Sequence, residues 1–159
     1  MVEVMGRHAG YLALYVGMSV GATAVVVPEE KFDFSRDVAE KIRRARLSGK
    51  TNFMIVVAEG AASAVEIGKQ IHEELGLDPR VTILGHIQRG GSPTARDRVA
   101  ATKMGYLAVE LLMAGKTNRI VCTHEGGFID IDMDEGLATK KTMQAMEVEV
   151  LSAMTGLGH

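Results

Sequence analysis

Two runs of apolar, largely β-branched residues constrain this chain more than any other feature: Thr23–Glu29, TAVVVPE, and Asn52–Gly60, NFMIVVAEG. A strand with one wet face alternates apolar and polar residues, whereas a continuous run marks a strand covered on both faces, as in parallel sheets. Such strands need helices, and helix-forming segments stand between them. Ser35–Gly49, SRDVAEKIRRARLSG, reads as an amphipathic helix with Ser35 as N-cap, Val38, Ile42 and Ala45 facing inward, and Gly49 as its stop. Ser63 and Glu66 form a capping-box pattern for a further helix that Gly76 ends. From about His8 to Met18, the spacing of Tyr11, Leu12, Leu14, Tyr15 and Met18 predicts a helix whose glycines face a closely packed neighbour. VEVM, broken at Gly6, and RVTILG are shorter strands. Ser92-Pro93 opens a long helix to about Ala114, closed by Gly115. RIVCT and FIDID flank HEGG as a hairpin, and a last helix covers roughly Leu137 to Met154. The alternation predicts an α/β fold in three layers, a mostly parallel sheet with helices on both faces. It is the size of one domain, without repeats, linker or low-complexity tract.

The charge balance narrows the partners. With 18 basic and 20 acidic residues the formal net charge is −2, so no general basic field calls for nucleic acid or an acidic membrane. An anion would have to be met locally. Cys122, inside RIVCT, has no disulfide partner in the chain, which fits a reducing compartment and a core position rather than a nucleophile. No apolar run approaches a membrane span and no secretory pattern opens the chain, so a cytoplasmic location is expected.

In parallel α/β sheets, ligands sit beyond the carboxyl ends of strands. Three segments here follow strand ends: Met5-Gly6-Arg7-His8, Glu59-Gly60, and Gly85-His86-Ile87-Gln88-Arg89. If their strands are neighbours, a carboxylate, two arginines and two histidines share one rim. Arginine offers a planar fork matched to phosphate oxygens, and histidine adds a donor. Adjacent glycines let backbone N–H groups approach, the helix opening at Pro93 adds its positive end, and a carboxylate suits sugar hydroxyls. The set fits a phosphorylated polyol. Each member also has a plain structural role: His8 as a helix-start residue, His86 as a satisfied loop histidine, Glu59 as a solvated carboxylate. GHIQRGGS lacks the Gly-Lys-Ser/Thr ending of a nucleotide-phosphate loop. DIDMDEG, Asp130 to Gly136, imitates the start of a calcium loop, but Glu135 stands where the turn glycine belongs and Lys141 where the bidentate Glu belongs. The ten methionines read as adaptable core filling.

VEVMGRHAGYLAL, VAEG and RVTILGHIQRGGSPTARDRVAA, in this order and at these intervals, resemble the C-terminal half of 6-phosphofructokinase, over nearly the whole chain. That family phosphorylates fructose 6-phosphate on its 1-hydroxyl in glycolysis. The resemblance implies that Met5, Gly6 and Arg7 contact the sugar phosphate, with Arg7 facing the transferring phosphoryl group. It further implies that Glu59 binds sugar hydroxyls, that His86 and Arg89 hold the sugar phosphate, and that Arg80 serves a site completed across a subunit interface. A homo-oligomer is therefore implied for the full enzyme.

The family's N-terminal half carries the glycine-rich nucleotide loop, the GGDG motif and the aspartate-rich TIDND segment that supplies the catalytic base, and none occurs in these 159 residues. The chain thus reads as residues 1–159 of an acceptor-binding half without its donor-binding partner half. The complete enzyme would use Mg2+ and ATP or pyrophosphate, neither bound by a motif here, and the isolated chain is expected to be inactive. Regulated bacterial members commonly carry a Glu where Thr23 stands and a basic pair in the segment RLSGK, where this chain keeps Lys50 but has Ser48 at the other position; the departures at Thr23 and Ser48 count against control by a nucleotide effector. The alternative reading is a non-catalytic sugar-phosphate or anion-binding module built on the same loops. A donor half encoded directly upstream would separate the two.

Overall fold

The computed structural model describes residues 1–139 and 145–155. They form two compact units, one of residues 1–90 joined by the C-terminal helix, the other starting at Gly91.

The first unit is built on four parallel strands: β1 (Val2–Val4), β2 (Ala24–Val26), β3 (Ile55–Ala58) and β4 (Thr82–Ile83). Their spatial order is β2-β3-β1-β4. Val2 is in register with Val56 of β3 and Thr82 of β4, and Val25 with Val56. Because successive side chains of a strand point to opposite faces, the apolar runs divide between two cores. Ala24, Val26, Ile55 and Val57 pack on one face with Val38 and Ile42 and with Ala64, Ile67 and Ile71. Val25, Val27, Val56 and Ala58 pack on the other with Val4, Ala13 and Ala22. The first group joins α2 (Glu40–Leu47) and α3 (Ala64–Leu75) to the sheet. The second joins α1 (Tyr11–Ser19), and α6 (Ala145–Met154) adds Leu151 beside it. The continuous runs are thus buried on both sides, as a three-layer sheet requires.

The expected glycine face of α1 is present. A Cβ on Gly17 would lie 2.2 Å from Cγ2 of Val25, so only glycine lets this helix approach β2 so closely. The helix starts at Tyr11, later than the apolar spacing suggested, because residues 5–8 belong to the loop that leaves β1. At its start, Gly10 N–H donates to Glu29 Oε1 (2.8 Å).

Helix capping departs from the sequence reading at several places. Ser35 does not cap; residues Ser35–Ala39 form a wider π-helical turn leading into α2. Asp33 and Asp37 do that work reciprocally, Asp33 N–H donating to Asp37 Oδ2 and Arg36 N–H to Asp33 Oδ1, both at 2.8 Å. Val38, Ile42 and Ala45 are inward as expected. Ser63 accepts from the Glu66 N–H, but the Glu66 carboxylate turns to Lys69 (2.9 Å); a different donor of the first turn, the Ala64 N–H, is taken by Glu3 Oε2 of β1 (2.9 Å). Gly76 ends α3 in the left-handed region, as expected.

The second unit holds α4 (Ala95–Met113), the antiparallel ribbon of β5 (Arg119–His124) and β6 (Gly127–Asp132), and α5 (Met133–Ala138). The helix begins after Ser92-Pro93: Thr94 is its cap, and Thr94 and Asp97 form a complete capping box. The Asp97 carboxylate thereby already occupies the positive end of α4, its acidity increased by the Thr94 hydroxyl and N–H. The hairpin matches the expectation, turning through Glu125 and Gly126, both at positive φ. Cys122 is half-buried rather than fully covered, since a two-stranded ribbon offers less shelter than a sheet between helix layers. Two acids of DIDMDE have structural partners: Asp130 accepts from Arg119 Nε (2.7 Å), and Asp132 caps α5. The last helix expected over Leu137–Met154 is not one piece in the described residues. Leu137 belongs to α5, α6 begins at Ala145, and residues 140–144, Lys141 included, lie outside the described residues.

Candidate functional site

The strand order decides the site. β3, β1 and β4 are consecutive in the sheet and parallel, so the segments leaving their carboxyl ends emerge side by side. These are Glu59-Gly60, Met5-Gly6-Arg7-His8 and the 3₁₀ turn Gly85–Arg89.

Glu59 is their hub. Its Oε1 accepts from the N–H of Arg7 (2.9 Å) and of Gly6 (3.2 Å). These two amide bonds, Arg7's first, hold its carboxyl below the usual carboxylate range, and the positive charges of Arg7 and Arg89 act in the same direction. Both guanidinium groups therefore lie within electrostatic reach of one carboxylate, although they come from different strands. The Arg7 backbone sits at φ 50°, a region bulky residues rarely occupy, and the Glu59 carboxylate on its own N–H helps hold it there. Gly60 makes room for this loop, because a Cβ on it would lie 1.6 Å from the Arg7 carbonyl oxygen.

On the other side, Met5 N–H donates to Gln88 Oε1 at 2.6 Å. Met5, Gly6 and Gln88 are half-buried, while Arg7, His8, Glu59, His86 and Arg89 are exposed. The result is a fixed backbone with charged side chains free to meet a ligand on an open rim. Arginine forks, an imidazole and a carboxylate so arranged suit an anionic group carried on a hydroxylated body. Of the expected residues, Met5, Gly6, Arg7, Glu59, His86 and Arg89 come together here. Arg80 does not: it precedes β4, at the end of that strand opposite His86 and Arg89.

The family model described as Phosphofructokinase matches residues 1–112. The chain belongs to the phosphofructokinase family. It is 50% identical over 143 residues to the ATP-dependent 6-phosphofructokinases of Bacillus thuringiensis (strain Al Hakam) and Bacillus cereus (strain B4264). That match covers 90% of this chain but 44% of each relative, so the chain spans less than half the length of these relatives. Among solved structures, the phosphofructokinase of Saccharomyces cerevisiae superposes with a TM-score of 0.77 at 30% identity, over 98% of this chain and 21% of that one. The T-state phosphofructokinase of Pichia pastoris superposes at 0.75 and 29% identity, over 97% and 18%. The matched residues 1–112 include every strand-end segment of the rim.

Thr23 and Ser48, the two positions expected to depart from the family's effector pattern, line a common cavity of about 260 Å3 with Lys41, Arg44 and Lys50. Thr23 is buried there, its N–H donating to the Met54 carbonyl (2.7 Å). Among the described residues no three His, Cys, Asp or Glu side chains gather to hold a metal ion, and no helix is long and apolar enough to cross a membrane.

Proposed function

We propose that this chain supplies the sugar-phosphate side of a 6-phosphofructokinase, holding fructose 6-phosphate while its 1-hydroxyl accepts a phosphoryl group from ATP. The observation that carries this reading is the Glu59 hub, where loops from three neighbouring parallel strands meet around one carboxylate and two arginines. In it, Arg89 and His86 grip the 6-phosphate and Arg7 faces the phosphoryl group in transit, spreading positive charge over oxygens that carry developing negative charge. Glu59 spends one oxygen on the Gly6 and Arg7 amides and leaves the other for sugar hydroxyls. Its lowered basicity suits binding better than proton abstraction. The base that takes the 1-hydroxyl proton and the cradle for the donor and Mg2+ belong, in this reading, to the donor-binding half. ATP as the donor follows the names of the Bacillus relatives. Arg80, remote from the rim, serves the site of a neighbouring subunit in a homo-oligomer acting in cytoplasmic glycolysis.

The test is calorimetric titration of fructose 6-phosphate, with the unphosphorylated sugar as control. Binding that depends on the 6-phosphate and on Arg89 supports the assignment. Equal binding of both sugars overturns it.

A further inference from the structure

The loops of the rim are held together by a side chain that no functional role has yet absorbed. Between β1 and β4 the parallel ladder runs from Thr82 N–H to the Met1 carbonyl (3.0 Å) and from Leu84 N–H to the Glu3 carbonyl (3.2 Å). The next rung would send the Met5 N–H to the Leu84 carbonyl. Instead the chain winds into its 3₁₀ turn there, and the carbonyl accepts from Ile87 N–H (3.3 Å). A half-buried backbone N–H without a partner is costly. The Gln88 side chain supplies the missing acceptor, Oε1 lying 2.6 Å from Met5 N.

We propose that Gln88 is a positioning residue for the rim, its amide oxygen continuing the sheet ladder one rung beyond β4 and setting the distance between Met5-Gly6-Arg7 and the His86–Arg89 turn. Gln88 is half-buried while His86, Ile87 and Arg89 around it are exposed, so within this turn it faces the protein and they face solvent. The N–H groups of Met5, Gly6 and Arg7 are thus all fastened by side chains, the first by Gln88 and the next two by Glu59. The stretch is clamped between the loops after β4 and β3. Without Gln88, the β4 side of the clamp would be free to drift, and a phosphate held by groups from both loops would lose their common geometry. This inference rests on the sugar-phosphate reading of the site.

The experiment compares wild type, Gln88→Met, Gln88→Asn and Arg89→Ala in the intact enzyme, each well below its melting temperature. Affinity for fructose 6-phosphate and hydrogen exchange of the Met5 amide are the readouts. Gln88→Met keeps the bulk but has no strong acceptor, and Gln88→Asn keeps the amide one methylene too short to reach. Both are expected to lose about tenfold in affinity, the weight of one hydrogen bond, and to speed Met5 exchange. Wild-type binding that Arg89→Ala impairs but both Gln88 variants leave unchanged overturns the positioning role and leaves the site reading intact. A wild type that does not discriminate the phosphorylated sugar, or an Arg89→Ala variant that binds normally, overturns the site reading and this inference with it.

Discussion

Gly60→Ala is the most exacting perturbation of this site, because it removes nothing and adds one methyl group. That carbon would sit 1.6 Å from the Arg7 carbonyl oxygen and 2.8 Å from its carbonyl carbon, where ordinary contact begins near 3.4 Å. Both are backbone atoms, so no rotamer change relieves the clash. The Met5–His8 loop must retreat by roughly 2 Å, and in doing so it pulls the Gly6 and Arg7 N–H groups off Glu59, to which they now donate at 3.2 and 2.9 Å. Overpacking of this kind costs about 1 to 3 kcal/mol of stability. A displacement of about 1 Å at a positioning group lowers turnover by about a hundredfold. The intact Gly60→Ala enzyme should therefore melt earlier and show kcat/KM for fructose 6-phosphate reduced by about a hundredfold. Steady-state kinetics at a temperature where circular dichroism shows the variant folded is the assay. Near-normal kcat/KM in the folded variant would refute the claim that this backbone approach sets the position of Arg7.

Arg89→Ala should weaken fructose 6-phosphate binding by about 1.5 to 3 kcal/mol, the range for a hydrogen bond to a charged group; calorimetry reads it directly, and an unchanged affinity counts against the clamp. Because the Glu59 pKa is lowered in the folded state, its stabilisation is present above the ordinary Glu range, about pH 4.3, and is lost as pH falls through the depressed folded value. Glu59→Gln should accordingly flatten the acid limb of a melting-temperature titration, and superimposable limbs would contradict the hub. Ile67→Ala, in the core between α3 and the sheet, should cost about 2 to 5 kcal/mol in denaturant unfolding; a loss below 1 kcal/mol would show that this core is looser than described. A polypeptide of these 159 residues alone, given Mg2+ and either ATP or pyrophosphate, is expected to form no fructose 1,6-bisphosphate, and sustained turnover would overturn its assignment to the acceptor side.

The layers of this protein are legible in its sequence because burial on both faces is written locally: TAVVV and MIVVA cannot serve as half-wet strands, and Val38, Ile42 and Ala45 recur at the helical period. The strand-end residues are legible for the same reason, since a strand's end is where its apolar run stops. What local pattern does not encode is which strands are neighbours. Only the order β2-β3-β1-β4 brings Arg7, Glu59 and Arg89 to one rim and leaves Arg80 at the far end of β4. Caps missed by a few residues share this cause. Ser35 and Thr94 are both good cap residues, but which one caps depends on where the chain enters its helix, and at α3 the Glu3 carboxylate arrives from another strand. Gln88 was invisible as a functional residue, because a glutamine in a loop carries no local mark of an N–H that lies 83 positions away. Periodicity is a property of neighbours along the chain and can be read there; the partners of a hydrogen bond across the sheet are chosen only when the strands pair.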